Sequence, residues 1–173
     1  MLKLFKKTYS EKDLKVFRFL SKNKLFDALT DEELEEFLPY LHKRQYKGNE
    51  VVFFANDPSN ALYIIKNGIV SLNIDVKENM EKLAVLRSGK LFGDNAILEN
   101  TKRIYTAIVI SESAELLVIP KINLMQIMED EVQIKAKLMS ALADEYNEYV
   151  QNLFKAYQTE YGFFDINMIY QNT

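Results

Sequence analysis

The chain has 173 residues, 48% hydrophobic and 27% charged, which fits one folded domain with helical extensions and excludes a disordered chain. It has no cysteine, so disulfides, thiolate nucleophiles and cysteine-bound zinc are excluded. The formal charge of −3 is uneven: residues 1–24 hold eight Lys or Arg against Glu11 and Asp13.

Leu14, Phe17 and Leu20 recur at helical spacing and predict a first helix whose basic residues form a solvated face. Thr30-Asp31-Glu32-Glu33 predicts a capping box, in which the Thr30 hydroxyl accepts from the Glu33 amide and the Glu33 carboxylate accepts from the Thr30 amide. Leu34, Phe37, Leu38 and Leu41 make one apolar stripe behind it, and Pro39 is expected to disturb that helix near its end. Residues 1–41 are thus an N-terminal helical segment.

From 42 to 120 the pattern changes to short β-branched and aromatic runs: 51–54, 62–65, 69–74, 83–86, 106–110 and 116–119. Six to eight strands at about ten-residue spacing predict a barrel, sandwich or jelly roll. Asn67-Gly68 between two such runs predicts a hairpin with a type I′ turn. After Pro120 the helical period returns, with a short helix over 122–128 and a long one over about 132–157. Met139, Leu142, Tyr146, Tyr149, Leu153 and Ala156 on the long helix form a seam that suits either a homodimer or packing on the chain's own strands. Residues 158–173, with Gly162-Phe163-Phe164, are expected to pack as an aromatic strap. They are too few for a helix-turn-helix unit with its own core, so no direct DNA binding is expected. No run is long and apolar enough to span a membrane, and the first residues lack the apolar core of a signal peptide, so the cytoplasm is the expected compartment.

The stretch that carries chemistry is Phe92-Gly93-Asp94-Asn95-Ala96-Ile97, followed by Arg103-Ile104-Tyr105. Gly93 permits a sharp turn, and residues 94–98 can form one helical turn whose first amides lack partners. Arg103 can offer a planar fork to two phosphate oxygens, and Asp94 can accept from sugar hydroxyls. On these residues alone, a simple turn beside a surface arginine remains the plainer account. His42 is the only histidine, and phosphate-loop, nucleophile-elbow and dinucleotide fingerprints are missing, so neither an enzyme nor a metal site is expected.

Residues 25–157 resemble the cyclic-nucleotide-binding domain of protein kinase A regulatory subunits, nucleotide-gated channels and catabolite-activator-type regulators. The family's phosphate cassette, Phe-Gly-Glu-x-Ala-Leu followed by Pro-Arg-Ser/Thr/Ala-Ala, is matched here by Phe92-Gly93-Asp94-Asn95-Ala96-Ile97 and Lys102-Arg103-Ile104-Tyr105. Tyr46-Lys47-Gly48-Asn49-Glu50, Asp57, Ala61-Leu62-Tyr63-Ile64-Ile65, Asn67-Gly68 and Gly89 match further landmarks in order. The resemblance implies an α+β, mainly β fold: an eight-stranded jelly-roll-like β-roll between an N-terminal helical bundle and a long C-terminal helix. It implies cAMP or cGMP as ligand, Arg103 on the cyclic phosphate, Asp94 on the ribose hydroxyl and amides around Asn95 and Ala96 completing the cup. Tyr146, Asn147 or Tyr149 would lid the base, with Tyr149 favoured for its aromatic face. Asp94 for glutamate, Ile104 for a small residue and Tyr105 for alanine depart from the pattern. They leave room for a degenerate, ligand-free interaction or dimerisation protein, or for a transcription-regulator relative that acts through a partner.

Overall fold

The computed structural model describes residues 7–77 and 79–162, with the backbone alone for Tyr161. Three short helices lead: α1 (Glu11–Leu20), α2 (Lys24–Asp27) and α3 (Asp31–Glu35). The predicted capping box is present, with the Thr30 hydroxyl accepting from Glu33 N at 3.3 Å and Glu33 Oε2 accepting from Thr30 N at 2.8 Å. Pro39 falls in a separate 3-10 turn at Leu38–Tyr40, so the helix ends earlier than its apolar stripe.

Eight strands follow: β1 (His42–Lys47), β2 (Val51–Phe53), β3 (Ala61–Asn67), β4 (Ile69–Val76), β5 (Asn79–Arg87), β6 (Leu91–Phe92), β7 (Thr106–Val109) and β8 (Ser113–Pro120). They form two four-stranded antiparallel sheets, ordered β1-β8-β3-β6 and β2-β7-β4-β5, the jelly-roll arrangement expected from the sequence. Two helices close the fold: α4 (Lys121–Asp130) and α5 (Val132–Tyr161). The long helix runs past its expected end at Tyr157. Phe163 and Phe164, expected to form a strap, lie outside the described residues.

The central strands of the first sheet, β8 and β3, are buried on both faces, which explains their unbroken apolar runs, whereas the edge strand β1 is exposed. One face meets the second sheet through Ile65, Val70, Phe92, Val109, Ala114 and Leu116. The other carries Leu62, Ile64, Leu117 and Ile119 under a helical cap of Phe17, Leu20, Phe26, Phe37, Leu124 and Leu138. Full burial of each such side chain is worth about 1.5–3 kcal/mol, so this cap ties the helices to the roll.

Asn67-Gly68 is not a hairpin. β3 pairs with β8 and β6, while β4 pairs with β5 and β7, so the dipeptide carries the chain from one sheet to the other. Only Gly68 has positive φ, at 97°, and a Cβ there would come within 2.6 Å of the Ser113 carbonyl oxygen. A close crossing over β8, not an I′ turn, therefore requires the glycine. The hairpin in this region is β4–β5, registered from Ile69 opposite Arg87 to Val76 opposite Asn79.

Candidate functional site

β6 ends at Phe92, and the next residue, Gly93, with φ of 73°, turns the chain out of the sheet. One 3-10 turn follows at Asp94–Ile97, anchored by the buried Ala96 and Ile97. Its closure uses the Ala96 amide, which donates to Gly93 O at 3.1 Å. A side chain at position 93 would be strained at this φ, and its Cβ, 2.6 Å from Arg103 Nη1 and 3.3 Å from Ala61 O, would push the guanidinium from its place. The glycine thus makes both the turn and the seat of the arginine.

Arg103 is held by its backbone before its side chain is considered. Its N–H donates to Asp57 O at 2.9 Å and its carbonyl accepts from Asn56 N at 2.8 Å. The side chain points into the roll and is only 3% exposed. Nη1 donates to Gly93 O at 3.1 Å and Asn95 Oδ1 at 3.2 Å, and Nη2 donates to Ala61 O at 2.5 Å. The guanidinium carbon lies 4.1 Å from the centre of the Phe53 ring and 5.6 Å from that of Tyr63. Nε is buried and has no hydrogen-bond partner. Ion pairs among the described residues join Lys7 to Glu35, Lys24 to Glu148, Lys66 to Glu115 and Lys137 to Glu33, and none involves Arg103. Burial pulls its pKa below the usual arginine value, against the attraction of Tyr63, Tyr105 and Asp94. An arginine nonetheless stays charged at neutral pH.

Asn95 ties this arrangement together. Its Oδ1 also accepts from Ser59 Oγ at 2.7 Å, and its Nδ2 donates to Lys102 O at 2.7 Å. Around the guanidinium sits an aromatic wall. Tyr63 and Phe92 stack at 5.2 Å between centroids, and Phe53 lies 5.6 to 5.9 Å from Tyr63, Phe92 and Tyr105. The Tyr105 hydroxyl accepts from Gly93 N at 3.0 Å. Burial is the main reason its pKa is raised, with the neighbouring Asp94 charge adding to it.

Asp94 is half-buried, and that burial raises its carboxyl above the ordinary range, while its own amide, the Tyr146 hydroxyl and Arg103 pull the other way. Helix α5 therefore passes over the cassette. Tyr149 sits one turn beyond Tyr146, with ring centroids 6.2 Å apart. It is 58% exposed, and its hydroxyl is pushed up to about 12 by burial, then by Glu145 and Asp94. Asn147 faces elsewhere, into a hollow between α2 and α5 lined by Lys24, Asp27 and Ser140. Ile104 is 77% exposed and lines a surface hollow with Asn56, Ile74 and Arg103.

The structure thus gathers Phe92, Gly93, Asp94, Asn95, Ala96, Arg103 and Tyr105, with α5 above them, and leaves Ile104 outside. Sequence reasoning did not single out Phe53, Tyr63 or the Ala61 carbonyl. Tyr63 and Ala61 were visible as a landmark, but their contact with Arg103 needs the pairing of β3 with β6. Among the described residues, no group of three or more His, Asp or Glu is placed to hold a metal ion. No helix among them is long and apolar enough to cross a membrane.

Comparison with known proteins places this geometry in context. A family profile described as the cyclic nucleotide-binding domain matches residues 43–131. The chain is 34% identical over 94 residues to the cyclic AMP receptor protein of Thermus thermophilus, covering 54% of this chain and 43% of that protein. It is 21% identical over 122 residues to the cGMP-dependent protein kinase egl-4 of Caenorhabditis briggsae, covering 69% of this chain and 16% of the kinase. The chain thus spans less than half the length of these relatives. Among solved structures, the Thermus thermophilus catabolite activator protein superposes with TM-score 0.66 at 26% identity, over 78% of this chain and 63% of that one. The regulatory domain of Toxoplasma gondii PKA with cAMP superposes with TM-score 0.64 at 19% identity, over 72% of this chain and 47% of that one, a likeness of fold.

Proposed function

We propose that this chain, which belongs to the cyclic nucleotide-binding domain family, is a regulatory module that takes cAMP or cGMP by placing the cyclic phosphate against Arg103. The observation that carries the proposal is the buried guanidinium with an unpartnered Nε and, among the described residues, no carboxylate in ion-pair distance of it. An unpaired charge inside a protein is unfavourable, and removing that penalty favours the uptake of an anion. Charge-assisted bonds from a guanidinium to phosphate are among the stronger ones available. The names of the relatives point the same way: one is a cyclic AMP receptor and another a cGMP-dependent kinase.

In this reading Asp94 accepts from a ribose hydroxyl, and the amides around Asn95 lie against the phosphate. Tyr149, with Tyr146 below it, covers the base from α5. A ligand touching the cassette and α5 together stabilises one placement of that helix over others, which is how binding becomes a signal. The distal turns of α5, exposed at Tyr149 and Leu153, would carry a second copy of the chain. Sedimentation of wild type against Leu153→Glu tests that pairing, with loss of a dimer the expected result.

Calorimetric titration of cAMP and cGMP into wild type and Arg103→Ala tests the binding proposal. The expected result is binding by wild type that weakens by at least ~100-fold in the variant, the loss of more than one charge-assisted bond. Unchanged binding by Arg103→Ala would show that the ligand sits elsewhere. A second reading, a ligand-free interaction module, is favoured by the Tyr105 hydroxyl already bonded to the Gly93 amide. It expects no heat with either nucleotide at millimolar concentration.

A further inference from the structure

We infer that Tyr105 is an internal competitor for the nucleotide site, closing it in the free chain and setting how tightly a ligand is held; this rests on the Arg103 reading above. The geometry leaves one approach to the guanidinium. Phe53 packs against a face at 4.1 Å, Nη1 is occupied by Gly93 O and Asn95 Oδ1, and Nη2 by Ala61 O. What remains is Nε, which is buried, and the second N–H of Nη2. Tyr105 lies two residues further on, in a bend before β7, and both it and Arg103 turn toward Phe53, whereas Ile104 between them is exposed. Its ring stacks toward Phe53 at 5.7 Å, and its hydroxyl reaches across to the amide of Gly93, whose carbonyl Arg103 holds. The side chain therefore spans the gap between the arginine's segment and the cassette turn, and an anion approaching from inside the roll meets the phenol first.

The phenol is also chemically suited to the role. As an acceptor on the Gly93 amide it satisfies a donor that the cassette would otherwise leave unpaired, so the closed state carries no orphaned N–H there. A phosphate or ribose oxygen replaces that acceptor when the ring swings out, so opening exchanges one hydrogen bond for another. Apparent affinity then equals the affinity of the open form reduced by the fraction of chains that are open. Tyr105→Phe removes the bond to Gly93 and keeps the ring, while Tyr105→Ala removes both.

Titration of cAMP into wild type, Tyr105→Phe, Tyr105→Ala and Tyr105→Ala/Arg103→Ala, together with hydrogen exchange at the Gly93 amide, tests the inference. The expected order is tightest binding in Tyr105→Ala, by ~10-fold or more over wild type, with Tyr105→Phe between them and none in the double variant. Without ligand, the Gly93 amide exchanges faster in Tyr105→Phe than in wild type. Wild type that fails to bind while Tyr105→Ala binds is the strongest support. Equal or weaker binding in Tyr105→Ala and Tyr105→Phe, with Arg103→Ala still abolishing it, overturns the competitor and leaves the Arg103 site standing. Binding by neither wild type nor any single Tyr105 variant at millimolar cAMP overturns both. Should Tyr105→Ala not fold, Tyr105→Leu, which keeps apolar bulk without a hydroxyl, is scored in its place.

Discussion

The two hydrophobic clusters of this molecule are built on opposite faces of one sheet, yet they differ in what they bury. Under the helices, Phe17, Leu20, Phe26, Leu34, Phe37, Leu62, Ile64, Ile119 and Leu138 are all but inaccessible, and every one is apolar. Inside the roll, Phe53, Tyr63, Phe92 and Tyr105 surround a charged guanidinium that is not fully hydrogen-bonded. The first cluster is a device for stability. The second keeps a buried cation in an aromatic-walled space, where the lower local dielectric strengthens its hold on an anion. Such a local conflict between burial and charge is where function is expected to sit.

Substitutions should separate the two regions. Phe37→Ala, in the helical cluster, is expected to cost about 3–5 kcal/mol in urea unfolding while leaving nucleotide affinity of the folded chain unchanged. Gly68→Ala forces a side chain at φ 97° against the backbone of β8 and should cost about 1–3 kcal/mol by the same measurement. Asn95→Ala breaks bonds to Ser59, Lys102 and Arg103, so about 1.5–3 kcal/mol of stability goes and nucleotide binding weakens with it. That double effect would place Asn95 in the second region; lost stability with unchanged affinity would place it in the first. Thr30→Ala removes one half of the capping box and should cost about 1 kcal/mol, with no effect on binding.

The smallest effect is in pH, where one acid from each region behaves oppositely. Burial alone would raise Glu33, but Lys137 and the Thr30 amide outweigh it and hold the carboxyl below its ordinary 4.5. Folding then favours the ionised form, so this contribution is complete above about pH 4.5 and fades as pH falls through the lower folded value. Asp94 is raised from 3.8 mainly by burial, so the fold favours its proton and stability declines as pH rises through 3.8 toward the folded value. Urea midpoints of Lys137→Met and Asp94→Asn across pH 3 to 7 check both signs, with changes within about 1 kcal/mol.

Much of this was legible in the chain. The capping box at Thr30, the strand runs of the roll and the turn at Gly93 follow from local chemistry and spacing, whereas the local residues favour a surface arginine and only the family resemblance puts Arg103 at the cassette. What was hidden is what needs the sheet pairing. Asn67-Gly68 reads as a hairpin by composition, but its glycine answers a close crossing over Ser113 that no local window contains. Ile104 stands where the family has a small residue, yet the bend before β7 leaves it exposed and brings the Tyr105 hydroxyl to the Gly93 amide. The carbonyl of Ala61 reaches Arg103 only because β3 lies beside β6.

The most direct measurement is the Nε–H resonance of Arg103 in a chain labelled with 15N-arginine, followed through a cAMP titration. If the buried guanidinium is an anion site, that signal moves with saturation and its exchange with water slows as Nε gains a partner. A titration that saturates other resonances and leaves Arg103 Nε–H where it was, or that moves nothing at millimolar cAMP, would contradict the account.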